Sequence, residues 1–190
     1  MANKFKSSAT VIPVDQSVGT ILAHDITEIR PGQFKGPAFK KGHIIREEDV
    51  SHLKRVGKEH LYVLHLEPGE IHEDDAALRL ASALAGKGVV YDPHPSEGKI
   101  QLKARYRGLM KVDVAALTRM NLVPDISCSS RHANSVVEPG DVLAGVRAIP
   151  LIIDEENLQA AEEIALAVDD FFSVKPLLTP KTGIVITGNE

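Results

Sequence analysis

The run Ile184-Val185-Ile186 constrains this chain more than any other segment, because consecutive β-branched apolar residues read as a strand that needs cover on both faces. It belongs to Lys181-Thr182-Gly183-Ile184-Val185-Ile186-Thr187-Gly188-Asn189-Glu190, where the predicted strand runs straight into a glycine-containing loop. A parallel neighbour would need a crossover of a dozen or more residues. None follows, so the 190 residues are expected to be the front of a longer protein, with 179–190 as the first strand of its next domain.

Composition excludes several partner classes. With 22 basic against 26 acidic side chains the net charge is -4, so no global field draws nucleic acid or an anionic membrane. Aromatics make up only 4% of the chain and Trp is absent, which leaves no platform for base stacking. There is no nucleotide fingerprint, Walker loop or Gly-x-Ser-x-Gly elbow. No run approaches the ~18 apolar residues of a membrane span. The basic start, Met1 to Lys6, has no apolar stretch behind it, so a soluble, cytoplasmic protein is expected. Cys128 is alone, which rules out an intrachain disulfide and suits a reducing compartment.

Local patterning predicts strands with short helices between them. Thr20–Ala23, His43–Ile45 and Leu61–Leu66 read as strands, with turns at Pro31-Gly32, Lys35-Gly36 and Lys41-Gly42. Glu47–Val56 reads as a helix: its first turn is acidic, its last turn carries Lys54 and Arg55, and Gly57 stands ready to cap it. Glu73–Ala85 places Ala77, Leu80, Ala81 and Leu84 at helical spacing. Lys99–Ala104 and Leu109–Val112 suggest a hairpin about Tyr106-Arg107-Gly108, followed by a helix capped by Asp113. Ser127–Ser135 reads as flexible and Val142–Ile153 as one strand. Glu155–Val168 makes the clearest helix, its apolar stripe opposed by an acidic, solvated face. The fold class expected is α+β: a β-rich lobe over 1–70, then a mixed α/β lobe with short helices over 71–178.

The segment KTGIVITGNE resembles the first strand and loop of the molybdopterin-binding domain of the MoeA-like, molybdopterin molybdotransferase-related family. There the strand delivers a Gly-Asn-Glu or Gly-Asp-Glu turn to a pterin phosphate site, so the resemblance assigns cofactor binding to Thr187, Gly188, Asn189 and Glu190. Residues 18–63 are similar to the leading segment of a molybdopterin-binding subfamily, and their spacing to the small β-clip (SAF-like) fold. Gly98–Leu102 and Val142–Leu151 match what lies between that segment and the pterin domain. The resemblance implies molybdopterin as cofactor, a role in molybdenum cofactor biosynthesis, and transferase activity in the full-length protein, this portion serving as scaffold, dimer surface or site wall. The Asp-Gly-Tyr-Ala segment of molybdate-inserting enzymes is missing, so the resemblance does not extend to molybdate insertion. The alternative is a stand-alone β-clip-like module that binds a small ligand or a metal.

Three clusters are chemically suggestive. In Glu70-Ile71-His72-Glu73-Asp74-Asp75 an imidazole among carboxylates has the donors for a divalent metal, while the same acids also suit a helix N-terminus. His24 and His43 border short strands in a turn-rich region, where Asp25 is placed to orient an imidazole; the alternative is ordinary surface histidines. Cys128 has Arg131 and His132 nearby, yet a small inert cysteine is the simpler reading.

Overall fold

A computed structural model of the chain describes residues 9–30, 34–96 and 98–188. It begins with β1 (Thr10–Pro13), β2 (Ile21–Leu22), β3 (Ile26–Arg30), β4 (Phe34–Phe39), α1 (Glu47–Arg55), β5 (His60–Leu64) and β6 (Glu70–His72). Next come α2 (Glu73–Leu84), β7 (Val89–Tyr91), β8 (Lys99–Ala104), β9 (Gly108–Val112), α3 (Val114–Met120) and β10 (Ile126–Ser130). The last elements are β11 (Val136–Val137), β12 (Val142–Ala148), β13 (Ile152–Asp154), α4 (Glu155–Leu166) and β14 (Phe172–Pro176). The fold is α+β and rich in strands. Among the described residues no helix is long and apolar enough to cross a membrane.

The chain divides into two compact units. The first takes in the described residues to His72 and also Pro150–Glu155; the second holds Glu73–Ile149 and the described residues from Glu156 on. The expected lobe over 71–178 is therefore not contiguous. Its residues 150–155 return to the first unit because β13 pairs antiparallel with β6, Ile152 opposite His72.

In the first unit β5 is the central strand, antiparallel to β1 on one side and β2 on the other. Its residues alternate as a half-buried strand should: Leu61 and Val63 face the core, His60 and Tyr62 face outward. α1 forms where its ends are locally satisfied. The Asp49 carboxylate accepts the Arg46 N–H at 2.9 Å, and the helix stops at Gly57, whose φ of +83° is a conformation that side chains disfavour. Leu53 points from α1 into a cluster with Leu22, Ile45, Leu61 and Val63, all buried. Burying each such side chain contributes roughly 1.5–3 kcal/mol.

Two local readings fail in this unit. Lys35-Gly36 is no turn but part of β4, which pairs with β3. His43–Ile45 forms only a single bridge, Ile44 opposite Ile21, since Gly42 turns at φ +87° before it and α1 begins two residues after it.

The second unit holds an antiparallel sheet in the order β10-β12-β8-β7 and another in the order β11-β9-β14. α2 packs on β12 and β8, burying Ala77, Leu80, Ala81 and Leu84, the residues that the spacing picked out. β8 and β9 are not a hairpin: β8 pairs with β7 and β12, β9 with β11 and β14. The Tyr106 hydroxyl donates to the Val174 carbonyl at 2.9 Å. At Gly108 the β14 backbone comes so close that a Cβ would collide with the Lys175 carbonyl oxygen. The chain leaving β8 is thus drawn to β14 instead of folding back.

Further differences have equally local causes. Ser127–Ser130, expected to be flexible, lies in β10 and pairs with β12. The expected strand Val142–Ile153 breaks after Ala148, where Pro150 has no N–H for a ladder. α4 buries Leu158, Ala161 and Ala165 as expected, but its acidic face is not simply solvated, since Arg79 donates to both oxygens of Glu162 at 2.8 and 2.5 Å. The predicted buried strand at 184–186 is absent. Ile184, Val185 and Ile186 are 83%, 87% and 88% exposed and belong to no ladder, because nothing in the described residues covers either face.

Candidate functional site

A cluster of aromatic, imidazole and carboxylate groups lies in the first unit, around Phe39 at the end of β4. Two imidazoles flank its ring, those of His43 and His52, each with its centroid 5.1 Å away. Each histidine meets a carboxylate. His43 Nε2 is 2.7 Å from Asp49 Oδ2, and His52 Nε2 is 3.1 Å from Glu28 Oε2. α1 supplies Asp49 and His52 three residues apart, hence on one helical face. Beside this cluster opens a groove of about 720 Å³, lined by Thr27, Glu28 and Ile29 of β3 and by Arg55 and Val56 at the end of α1.

Asp49 is the group whose acidity the cluster alters. Burial alone would raise its pKa, but the hydrogen bonds from His43 and from the Arg46 amide outweigh that and hold it below its ordinary value of 3.8. A depressed carboxylate stabilises the fold above its unfolded pKa, and the contribution disappears as pH falls through the folded value. Asp49→Asn is therefore expected to cost about 1–2 kcal/mol at pH 7. The difference from the parent should shrink progressively below pH ~4, and urea melts at stepped pH measure it.

The expected constellation of His24, Asp25 and His43 is wired differently. Asp25 orients no imidazole; its Oδ1 accepts the Lys41 N–H at 2.7 Å. The carboxylate at His43 is that of Asp49. His24 is exposed and stands edge-on to Tyr62, with centroids 5.5 Å apart. Sequence reasoning missed Glu28, Phe39 and His52, since a carboxylate 24 residues before its histidine leaves no local signal. Asp49 was visible only as a charge at a helix start.

The acidic cluster at 70–75 is engaged elsewhere. Glu70 accepts the Glu67 N–H at 3.0 Å, fully buried His72 lies 2.8 Å from the Gly42 carbonyl, and Asp74 accepts the Gly98 N–H at 3.1 Å. Among the described residues no group of three or more His, Cys, Asp or Glu is arranged to hold a metal ion. Cys128 is buried in β10, and burial pushes its thiol up to about 12. Asn121 binds its N–H and C=O at 2.8 and 2.9 Å, while Arg131 turns to Asp141 at 3.4 Å. That cysteine is a packed structural residue. Of the residues assigned to pterin binding, Thr187 and Gly188 stand outside any ladder, Gly188 with φ +122°. Asn189 and Glu190 lie outside the described residues.

No curated protein and no solved structure matches the chain. Residues 11–65, which span β1 to β5 and the Phe39 cluster, match the family model of a domain of unknown function, DUF8806.

Proposed function

We propose that this chain is the leading region of a molybdopterin-binding protein related to molybdenum cofactor biosynthesis, with Thr187, Gly188, Asn189 and Glu190 at the mouth of a pterin phosphate site. The segment 181–190 carries the reading. Its residues follow the strand-and-turn pattern of such domains, and Ile184, Val185 and Ile186 are exposed apolar side chains that gain stability only when neighbours cover them. A glycine at the positive φ of Gly188 suits a turn whose amides approach an anion. The two units then serve as scaffold, dimer surface or site wall, and any molybdotransferase-like activity belongs to the intact protein.

A second reading is a self-sufficient module for a small ligand. It draws on the first unit, which has its own core, contains the residues 11–65 of the family match and carries the groove beside Phe39. Isothermal titration with molybdopterin separates the two. The protein as its gene encodes it is expected to bind with submicromolar affinity, and residues 1–190 far more weakly, because an anion site needs a helix start to aim its amides. Equal submicromolar affinity in both would sink the claim that residues 1–190 hold only part of the site, and no binding in either would sink the pterin reading.

A further inference from the structure

The β3-β4 ribbon has a proline at a telling position. Pro37 stands opposite Thr27 and Gly36 opposite Glu28. Having no N–H, Pro37 cannot share a hydrogen-bonded pair with Thr27, so the ladder bonds run through Glu28 and Gly36. Strand geometry then turns the N–H and C=O of Thr27 and Ile29 away from β4, toward the opposite edge. Among the described residues that edge is open: β3 pairs with no strand but β4, and no backbone group binds Thr27 or Ile29 there.

The same three residues, Thr27 to Ile29, form one wall of the groove, and Arg55 and Val56 form the other. An unpaired strand edge facing a groove of about 720 Å³ is the arrangement in which an extended peptide adds as a strand, its backbone completing the ladder. Charge selects the occupant. Glu28 directs its carboxylate to the His52 ring nitrogen at 3.1 Å, whereas Arg55 is exposed and has no ion-pair partner among the described residues. Lys35, across the ribbon from Ile29, is an exposed cation as well. Ile29, 63% exposed, offers an apolar neighbour of the sort that β-branched side chains pack against across strands.

We propose that the free edge of β3 is a docking site for an extended acidic peptide, bound as an added strand with a carboxylate on Arg55 and β-branched side chains at alternate positions. The inference is independent of the pterin reading. A random heptapeptide library displayed on phage and panned on the intact chain tests it. The enriched family is expected to carry Asp or Glu among alternating Val, Ile or Thr, and a synthetic member should slow amide exchange at Thr27 and Ile29 about tenfold or more. Arg55→Glu, a change on the helix surface, should weaken binding about tenfold or more. Ile29→Pro, which deletes an N–H that the β4 ladder does not use, should abolish it. No enriched family, undiminished affinity in both variants, or protection confined to other amides would overturn the proposal.

Discussion

Phe172→Ala is expected to destabilise the second unit by about 3–5 kcal/mol. The ring is fully buried, its centroid 5.3 Å from that of Phe171, and the residue lies in β14, paired with Val112 of β9. Its carbonyl also accepts the Gly86 N–H at 2.9 Å, at a spot so tight that a Cβ on Gly86 would come within 2.6 Å of it. That backbone contact prevents β14 from closing over the space the ring leaves, so most of the cavity should persist. Native-state hydrogen exchange reads the effect where it arises, as loss of protection in β9 and β14. Protection there within ~1 kcal/mol of the parent would contradict the packing described.

In the first unit the corresponding change is Leu53→Ala, expected to cost about 2–5 kcal/mol. Leu53 is the fully buried residue through which α1 contacts Leu22, Ile45, Leu61 and Val63. Truncation removes the helix's main hold on the sheet, and a nine-residue helix is too short to persist by propensity alone. Loss of α1 would also carry off Asp49 and His52, so the ring cluster at Phe39 should dissolve with it. Exchange of the α1 and β5 amides measures this, and Leu178→Ala, at an exposed position, is the control expected within ~0.5 kcal/mol. Equal effects from the two variants would exclude Leu53 as the anchor.

Features governed by near neighbours in the chain were legible in the sequence. Helix α1 has an acidic first turn and Gly57 beyond its end, and the α2 and α4 stripes show the helical period over three turns. Asp113 caps α3 through its neighbour, accepting the Ala116 N–H at 2.8 Å. Each signal spans only a few residues, so it survives whatever the rest of the chain does. The mixed, strand-rich character followed from the many short apolar runs between turn residues.

Only the tertiary structure decided which strands pair and which side chains meet. The sequence between β8 and β9 reads as a hairpin turn, but hydrogen bonds and close contacts with β14, some seventy residues further on, direct the chain into another sheet. Pro150 separates β12 from β13, and the ladder with β6 then returns 152–154 to the first unit. The partner of His43 turned out to be Asp49 and that of His52 to be Glu28, with both rings packed against Phe39. The free edge of β3 came from combining the two levels. Pro37 is plain in the sequence, but its missing N–H has a consequence only once the register sets it opposite Thr27. Strand pairing and side-chain assembly depend on contacts between segments distant in the chain, and no local pattern encodes that distance.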